Sequence, residues 1–226
     1  MYTCGHFINN QTVVPEGQVL APVFNPATGQ QQGQVVLGDP HAVELAVSAA
    51  QAALGEWSQR TPLNRARVLF RFKALMEANL DELATLISTE HGKVFSDARA
   101  ELQRGLEVVE FACGIPHLLK GEHSLNAGTG VDSFSMHQPV GVCVGITPFN
   151  FPAMVPLWMV PVALACGNTF ILKPSELDPS ASLRLAALMA EAGAPAGVFN
   201  VLNGNAQTVR DLIADTRVQA VSFVGS

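Results

Sequence analysis

Apolar positions along this chain change period several times, and each change marks an element. After Asp39-Pro40, the residues Val43, Ala46, Val47, Ala50 and Leu54 recur at three and four positions. That spacing predicts an amphipathic helix with Asp39 as N-cap, Pro40 at its first position and an end near Gly55. Thr61-Pro62 repeats the start signal for a helix through Leu69, Phe72, Leu75 and Met76 to about Asn79. Leu83, Leu86 and Ile87 form a further stripe, stopped by Gly92. Ser96 is then expected to cap a long helix that turns Ala100, Leu102, Leu106, Val109 and Phe111 inward and runs to about Gly114. Gly105 inside it lowers helicity, which implies a close packing contact.

From Val140 the pattern shortens. Val140 to Ile146 is a compact apolar run dense in β-branched residues, and the two prolines of Thr147-Pro148-Phe149-Asn150-Phe151-Pro152 end it. Such a run reads as a buried parallel strand. Met154 to Ala165 follows as a helix, Gly167-Asn168 stops it, and Thr169 to Leu172 is a second strand that empties into Lys173-Pro174-Ser175-Glu176. The alternation continues with a helix over Ser180 to Ala192, a strand over Val198 to Leu202, a short helix marked by Val209, Leu212 and Ile213, and a strand over Val218 to Val224 before Gly225-Ser226. Repeated βα units predict an α/β fold with a doubly wound, mainly parallel sheet. Residues 1–123 form its N-terminal helical layer, which opens with β-prone pieces at Gly5 to Asn10 and Ala21 to Gly29. Weak alternation over 124–139 reads as an extended ribbon, marginal by itself and expected to lean on another subunit. Residues 140–226 are the Rossmann-like part.

In an open α/β sheet, ligands bind outside the carboxyl ends of the strands, so Thr147 to Asn150 and Lys173 to Glu176 should meet at one crevice. Two readings stand open from spacing alone. Either these polar groups are a site, or Asn150 caps a helix while Lys173 and Glu176 form a solvated pair.

Composition narrows the classes. Charged residues are 14% of the chain and apolar ones 48%, against about 25% charged in an ordinary soluble domain. That balance implies surface to be covered by a partner copy or by further chain. A net charge of −6, with 13 dispersed Lys and Arg residues, speaks against a nucleic-acid groove. The longest apolar stretch is interrupted by Pro152, Pro156 and Pro161, so no membrane span is expected. The start MYTCGHFINN lacks the pattern of a secretion signal, and Cys4, Cys113, Cys143 and Cys166 lie in apolar contexts at no metal spacing. These features fit a cytoplasmic protein with reduced thiols. His91, His117, His123 and His137 have no partners at ligand spacing, so no metal is expected.

The phrase PFNFPAMVPLWMVPVALACGNTFILKPSE closely resembles the aldehyde dehydrogenase superfamily, in particular its CoA-acylating methylmalonate-semialdehyde branch. Asn25-Pro26-Ala27-Thr28-Gly29, Glu90-His91-Gly92-Lys93 and Phe223-Val224-Gly225-Ser226 resemble further family phrases. The resemblance covers the whole chain but only about the first half of a typical family member. It implies Asn150 as the side-chain donor that stabilises the charge developing on the attacked carbonyl oxygen, worth ~10²–10³ in rate. It implies Lys173 and Glu176 on the adenine-side ribose of NAD, with Glu176 favouring NAD over NADP. Ile146, Thr147, Pro148 and Phe149 join that cofactor lining, and Gly225 and Ser226 meet the pyrophosphate. CoA is the implied acyl acceptor, a small semialdehyde the implied substrate, and the 124–139 ribbon the arm of a homo-oligomer, a dimer or tetramer. The family's cysteine nucleophile would lie beyond Ser226, so the chain alone is expected to be inactive; Cys143 and Cys166 read as packing residues. Arg104 is suited to clamp a substrate carboxylate, or it is an exposed helix arginine paired with Glu101 or Glu107. Two other functions remain in view: a hydrolytic aldehyde or succinate-semialdehyde dehydrogenase, and a non-catalytic nucleotide-binding or assembly module.

Overall fold

A computed structural model describes residues 1–225. Short strands open the chain: β1 (Tyr2–Cys4), β2 (His6–Ile8), β3 (Gln11–Val13), β4 (Leu20–Asn25) and β5 (Gln30–Val36). Helices α1 (Pro40–Gln59), α2 (Pro62–Ala78), α3 (Leu80–His91), α4 (Phe95–Cys113) and α5 (Ile115–Leu118) follow. A ribbon of β6 (His123–Gly128) and β7 (Val131–Phe134) leads into β8 (Val142–Ile146), α6 (Met154–Ala165), β9 (Thr169–Lys173), α7 (Ser180–Glu191), β10 (Phe199–Val201), α8 (Ala206–Ala214) and β11 (Val218–Phe223).

The main sheet has six strands in the order β11-β8-β9-β10-β2-β3. Its first four strands are mutually parallel, and β2 joins antiparallel to β10 through Phe7 and Val201. Both faces are covered, which is why β8 and the Phe170-Ile171-Leu172 centre of β9 read as apolar runs, and both strands are buried at every position. Strand alternation sorts the side chains into two cores. Cys143, Phe170, Leu172 and Phe199 pack with Leu102, Leu157 and Leu185 from the α4, α6 and α7 side. Val142, Val144, Ile146 and Ile171 pack with Val43, Ala46, Val47 and Ala50 of α1 and Leu212 of α8. The chain steps from β8 through α6 and α7 to β10, then returns through α8 to β11 on the far side of β8. The winding therefore reverses at β8, and a doubly wound sheet opens its crevice at that point.

Several sequence expectations change in detail. Helix α1 passes Gly55 and ends at Gln59, because Trp57 is fully buried and its indole N–H donates to the Leu164 carbonyl at 3.1 Å. Helix α4 begins at Phe95 after Val94, with no side-chain cap, so Ser96 lies inside it rather than capping it. Its buried stripe is Ala98, Glu101, Leu102, Gly105, Leu106, Val109 and Ala112, which leaves Ala100 and Phe111 facing outward. Alternating steps of four and three set this face, and those two residues fall between the steps. Gly105 does make the close contact, lying against Leu157 of α6. The N-terminal pieces also do more than precede the helices. Strands β2 and β3 extend the main sheet, and β1, β5 and β4 form a second, three-stranded one. The ribbon forms as an antiparallel pair with every residue exposed.

Candidate functional site

Three strand ends build the site. The Thr147 N–H donates to the Lys173 carbonyl at 3.2 Å, and the Val224 N–H donates to the Ile146 carbonyl at 3.0 Å, so the exits of β8, β9 and β11 are tied together. Between them is an open crevice of about 310 Å³. Of the residues expected to bind cofactor, Ile146, Thr147, Pro148, Phe149, Lys173, Glu176 and Gly225 all line it. Ser226 lies outside the described residues.

Lys173 is buried at the end of β9, and its Nζ donates to Glu176 Oε2 at 3.2 Å. The pair is thus not simply solvated: the ammonium is held inside the crevice wall while the carboxylate is half exposed. The Thr147 hydroxyl on the same wall is buried and has no partner among the described residues. An ammonium, a carboxylate and an unmet hydroxyl at one switch point suit a ligand that carries vicinal hydroxyls, and the ribose of a dinucleotide has them.

Asn150 stands beside this crevice rather than in its lining. It is exposed, and its side-chain amide has no protein partner among the described residues. Its backbone carbonyl is held by Lys93 Nζ at 3.0 Å. Lys93 also donates to Glu101 Oε2 at 2.6 Å and sits 4.3 Å from the centre of the Phe151 ring. Glu101 Oε1 in turn accepts from the Ala153 and Met154 N–H groups at 2.9 and 3.1 Å. Helix α6 has no cap from its own segment, so the helix-cap reading of Asn150 fails: Glu101 of α4 caps α6 from across the core.

Arg104 lies three residues after Glu101 on α4, exposed and outside the crevice. It forms no ion pair among the described residues: Glu101 is committed to Lys93, and Glu107 is not engaged either. Of the two cysteines weighed as nucleophiles, Cys143 is buried and Cys166 half-buried, and burial pushes the Cys143 thiol up to about 11 and raises that of Cys166. Neither is poised to attack.

A second cavity of about 240 Å³ backs onto the crevice and shares Phe149 and Leu177 with it. Glu90 on its wall is buried and accepts from Tyr2 Oη at 2.6 Å and from the Ser180 N–H at 2.9 Å. Asp178, only 2% exposed, has neither oxygen partnered among the described residues. Burial, and then the charges of Glu90 and Glu101, push its carboxyl up to about 8. Sequence reasoning missed Lys93, Glu101, Glu90 and Asp178 as parts of this region. The available signal was Glu101, a charged residue on the inward stripe of an amphipathic helix.

A model of the aldehyde dehydrogenase family matches residues 13–226. A malonate-semialdehyde dehydrogenase of Pseudomonas aeruginosa is 53% identical over all 226 residues, which correspond to 45% of its length. An acylating mitochondrial methylmalonate-semialdehyde dehydrogenase of Arabidopsis thaliana is 48% identical over 98% of this chain and 36% of its own. Among solved structures, a methylmalonate-semialdehyde dehydrogenase of Oceanimonas doudoroffii superposes with a TM-score of 0.98 at 57% identity, covering all of this chain and 46% of that one. One from Sinorhizobium meliloti in complex with NAD gives 0.98 at 50% identity, with the same coverage. The chain spans less than half the length of these relatives.

Proposed function

Because the chain belongs to the aldehyde dehydrogenase family, we propose that it forms the NAD-binding half of a CoA-acylating methylmalonate- or malonate-semialdehyde dehydrogenase. The observation that carries this reading is the crevice at the β8 switch point, where Lys173, Glu176 and the Thr147 hydroxyl converge. The Glu176 carboxylate can accept from both hydroxyls of the adenine-side ribose and repels a 2′-phosphate, which selects NAD. Ile146, Thr147, Pro148 and Phe149 wall the cofactor on the β8 side, and Gly225 and Ser226 are assigned to its pyrophosphate. Bound NAD supplies the hydride acceptor, and CoA receives the acyl group.

Asn150 is assigned the role of oxyanion donor. Its amide is exposed beside the crevice and has no partner among the described residues, so it can donate to a carbonyl oxygen as charge builds there. The nucleophile in this reading belongs to the other half of the enzyme. Arg104, without an ion pair among the described residues, is assigned to the substrate carboxylate, for which a guanidinium offers two parallel donors. The exposed ribbon is assigned to subunit contact in a homo-oligomer of the cytoplasm. Among the described residues no helix is long and apolar enough to cross a membrane.

The test is an assembled enzyme, this chain joined to the remaining portion of the Pseudomonas aeruginosa relative. It should reduce NAD with malonate or methylmalonate semialdehyde and yield acyl-CoA, and Glu176→Ala should weaken NAD binding by about tenfold or more through loss of charge-assisted hydrogen bonds. Free acid formed at an undiminished rate without CoA would instead assign the hydrolytic reaction. NAD titrated by calorimetry into the 226-residue chain alone should bind weakly, because two ribose contacts do not offset the entropy of association.

A further inference from the structure

We infer that the Lys93–Glu101 ion pair is the positioning device for Asn150, fixing where its side-chain amide stands relative to a reacting carbonyl. This rests on the proposed role of Asn150 as oxyanion donor. The pair is built into the wall between α4 and the loop before α6, with the Glu101 side chain 1% exposed and that of Lys93 12%. The carboxylate caps α6 through Oε1, which accepts from the Ala153 and Met154 N–H groups. Its other oxygen holds an ammonium whose remaining contacts all point at the loop: the Asn150 carbonyl at 3.0 Å and the Phe151 ring at 4.3 Å.

Four residues of the segment 150–154 are therefore tied to one ion pair, and the Asn150 carbonyl is among the groups held. Its side-chain amide is the polar group left out. Pinning the carbonyl and the next ring fixes the backbone of Asn150, which leaves its amide only its own two side-chain torsions. A donor contributes to transition-state stabilisation only when it is held close to productive geometry, within about half an ångström. The conformation of this loop comes from no regular element: residues 147–153 lie between the end of β8 and the start of α6. Thr147 is anchored to Lys173 at one end; at the other the Lys93–Glu101 pair holds Asn150, and Ser182 Oγ donates to the Pro152 carbonyl at 3.1 Å. Lys93 follows the left-handed Gly92 that ends α3, so α3, α4 and α6 converge on Asn150 through this contact.

The experiment compares variants of the assembled enzyme, with kcat expressed per active site after titration of the active sites. Asn150→Ala should lower kcat by ~10²–10³. The principal variant is Lys93→Met combined with Glu101→Gln, which leaves no buried charge stranded and keeps an acceptor for the α6 N–H groups. It should lower kcat at least about tenfold, with a smaller loss of NAD affinity, since Lys173 and Glu176 are untouched and Thr147 stays tied to the Lys173 carbonyl. Added to Asn150→Ala, the same pair of changes should cost nothing further, because the amide they position is gone. Lys93→Arg, which can reach both partners and keeps the fold, should restore most of the rate. A purely structural pair would lower the melting temperature and the fraction of active sites but leave kcat per site at wild type, and that result overturns the inference. So do losses that multiply with Asn150→Ala, which would show that the pair acts elsewhere while the role of Asn150 stands. An Asn150→Ala enzyme at wild-type rate overturns the inference together with the reading beneath it.

Discussion

Gly105→Ala tests whether the α4–α6 contact that brings Glu101 to the loop before α6 is as tight as its geometry implies. A methyl group at this position would overlap Leu157 Cδ1 and stand 3.2 Å from Leu157 Cβ and 3.3 Å from its Cγ. Leu157 is 2% exposed, so its side chain has little room to swing aside. Two effects oppose each other: alanine gains ~1 kcal/mol of helix propensity over glycine, and an added methyl in a filled core costs ~1–3 kcal/mol. The steric effect should win, giving a net loss of up to ~2 kcal/mol and a melting temperature lower by about 2–4 °C per kcal/mol for a chain of this size. The sign should reverse once Leu157 is cut back. Leu157→Ala alone costs ~2–5 kcal/mol by opening a void, and in that background Gly105→Ala meets no clash, keeps its propensity gain and fills part of the space. The two sites should thus couple by ~1–3 kcal/mol in a double-mutant cycle. Urea unfolding followed by tryptophan fluorescence, with all four variants at one fixed chain concentration, measures all four corners. The same change in stability for Gly105→Ala in both backgrounds would refute the packing argument.

Asp178 gives a pH dependence with a definite sign. Its carboxyl titrates near 8 in the fold against 3.8 ordinarily, so between those values the folded state holds a proton that the unfolded state has lost. Its contribution to stability therefore falls as pH rises from about 4 to about 8 and is level beyond, by at most ~1.4 kcal/mol per pH unit. Asp178→Asn should flatten that slope in urea melts run across the window; an unchanged slope would mean the carboxyl is ionised at neutral pH. In the assembled enzyme, Arg104→Leu should raise KM for a carboxylate-bearing semialdehyde roughly ten- to hundred-fold through loss of a charge-assisted pair, and leave propanal unaffected. Equal effects on both substrates would remove the clamp. The ribbon exposes Leu125, Val131 and Phe134, and Met136 beyond it is exposed too, so the isolated chain should self-associate at micromolar concentration. A sharp monomeric mass by light scattering would contradict the assigned subunit contact.

Local rules already determined much of this protein. Asp39-Pro40 and Thr61-Pro62 cap α1 and α2 as their residue types require, and Gly92 and Gly167 take the left-handed backbone that ends a helix. The apolar runs of β8 and β9, and the prolines between β8 and α6, were enough to place Thr147, Lys173 and Glu176 at neighbouring strand ends, because the sheet is wound by a general rule. Tertiary structure decided what no period or cap encodes. Trp57 extends α1 past Gly55 because its indole finds a carbonyl 107 residues away. Strand β2 enters the main sheet through Phe7 and Val201, a pairing whose partners are too far apart in sequence for any local pattern to specify. In the sequence Lys93 belonged only to a turn phrase after a helix, and Glu101 was only a candidate partner for Arg104. That they meet Asn150, Phe151 and the start of α6 follows from α4 crossing α6 at Gly105, where the missing side chain lets the two helices approach closely enough for a carboxylate to cap its neighbour. A charge can stay buried there only because those contacts satisfy it, and the distances that satisfy it exist only in the folded chain.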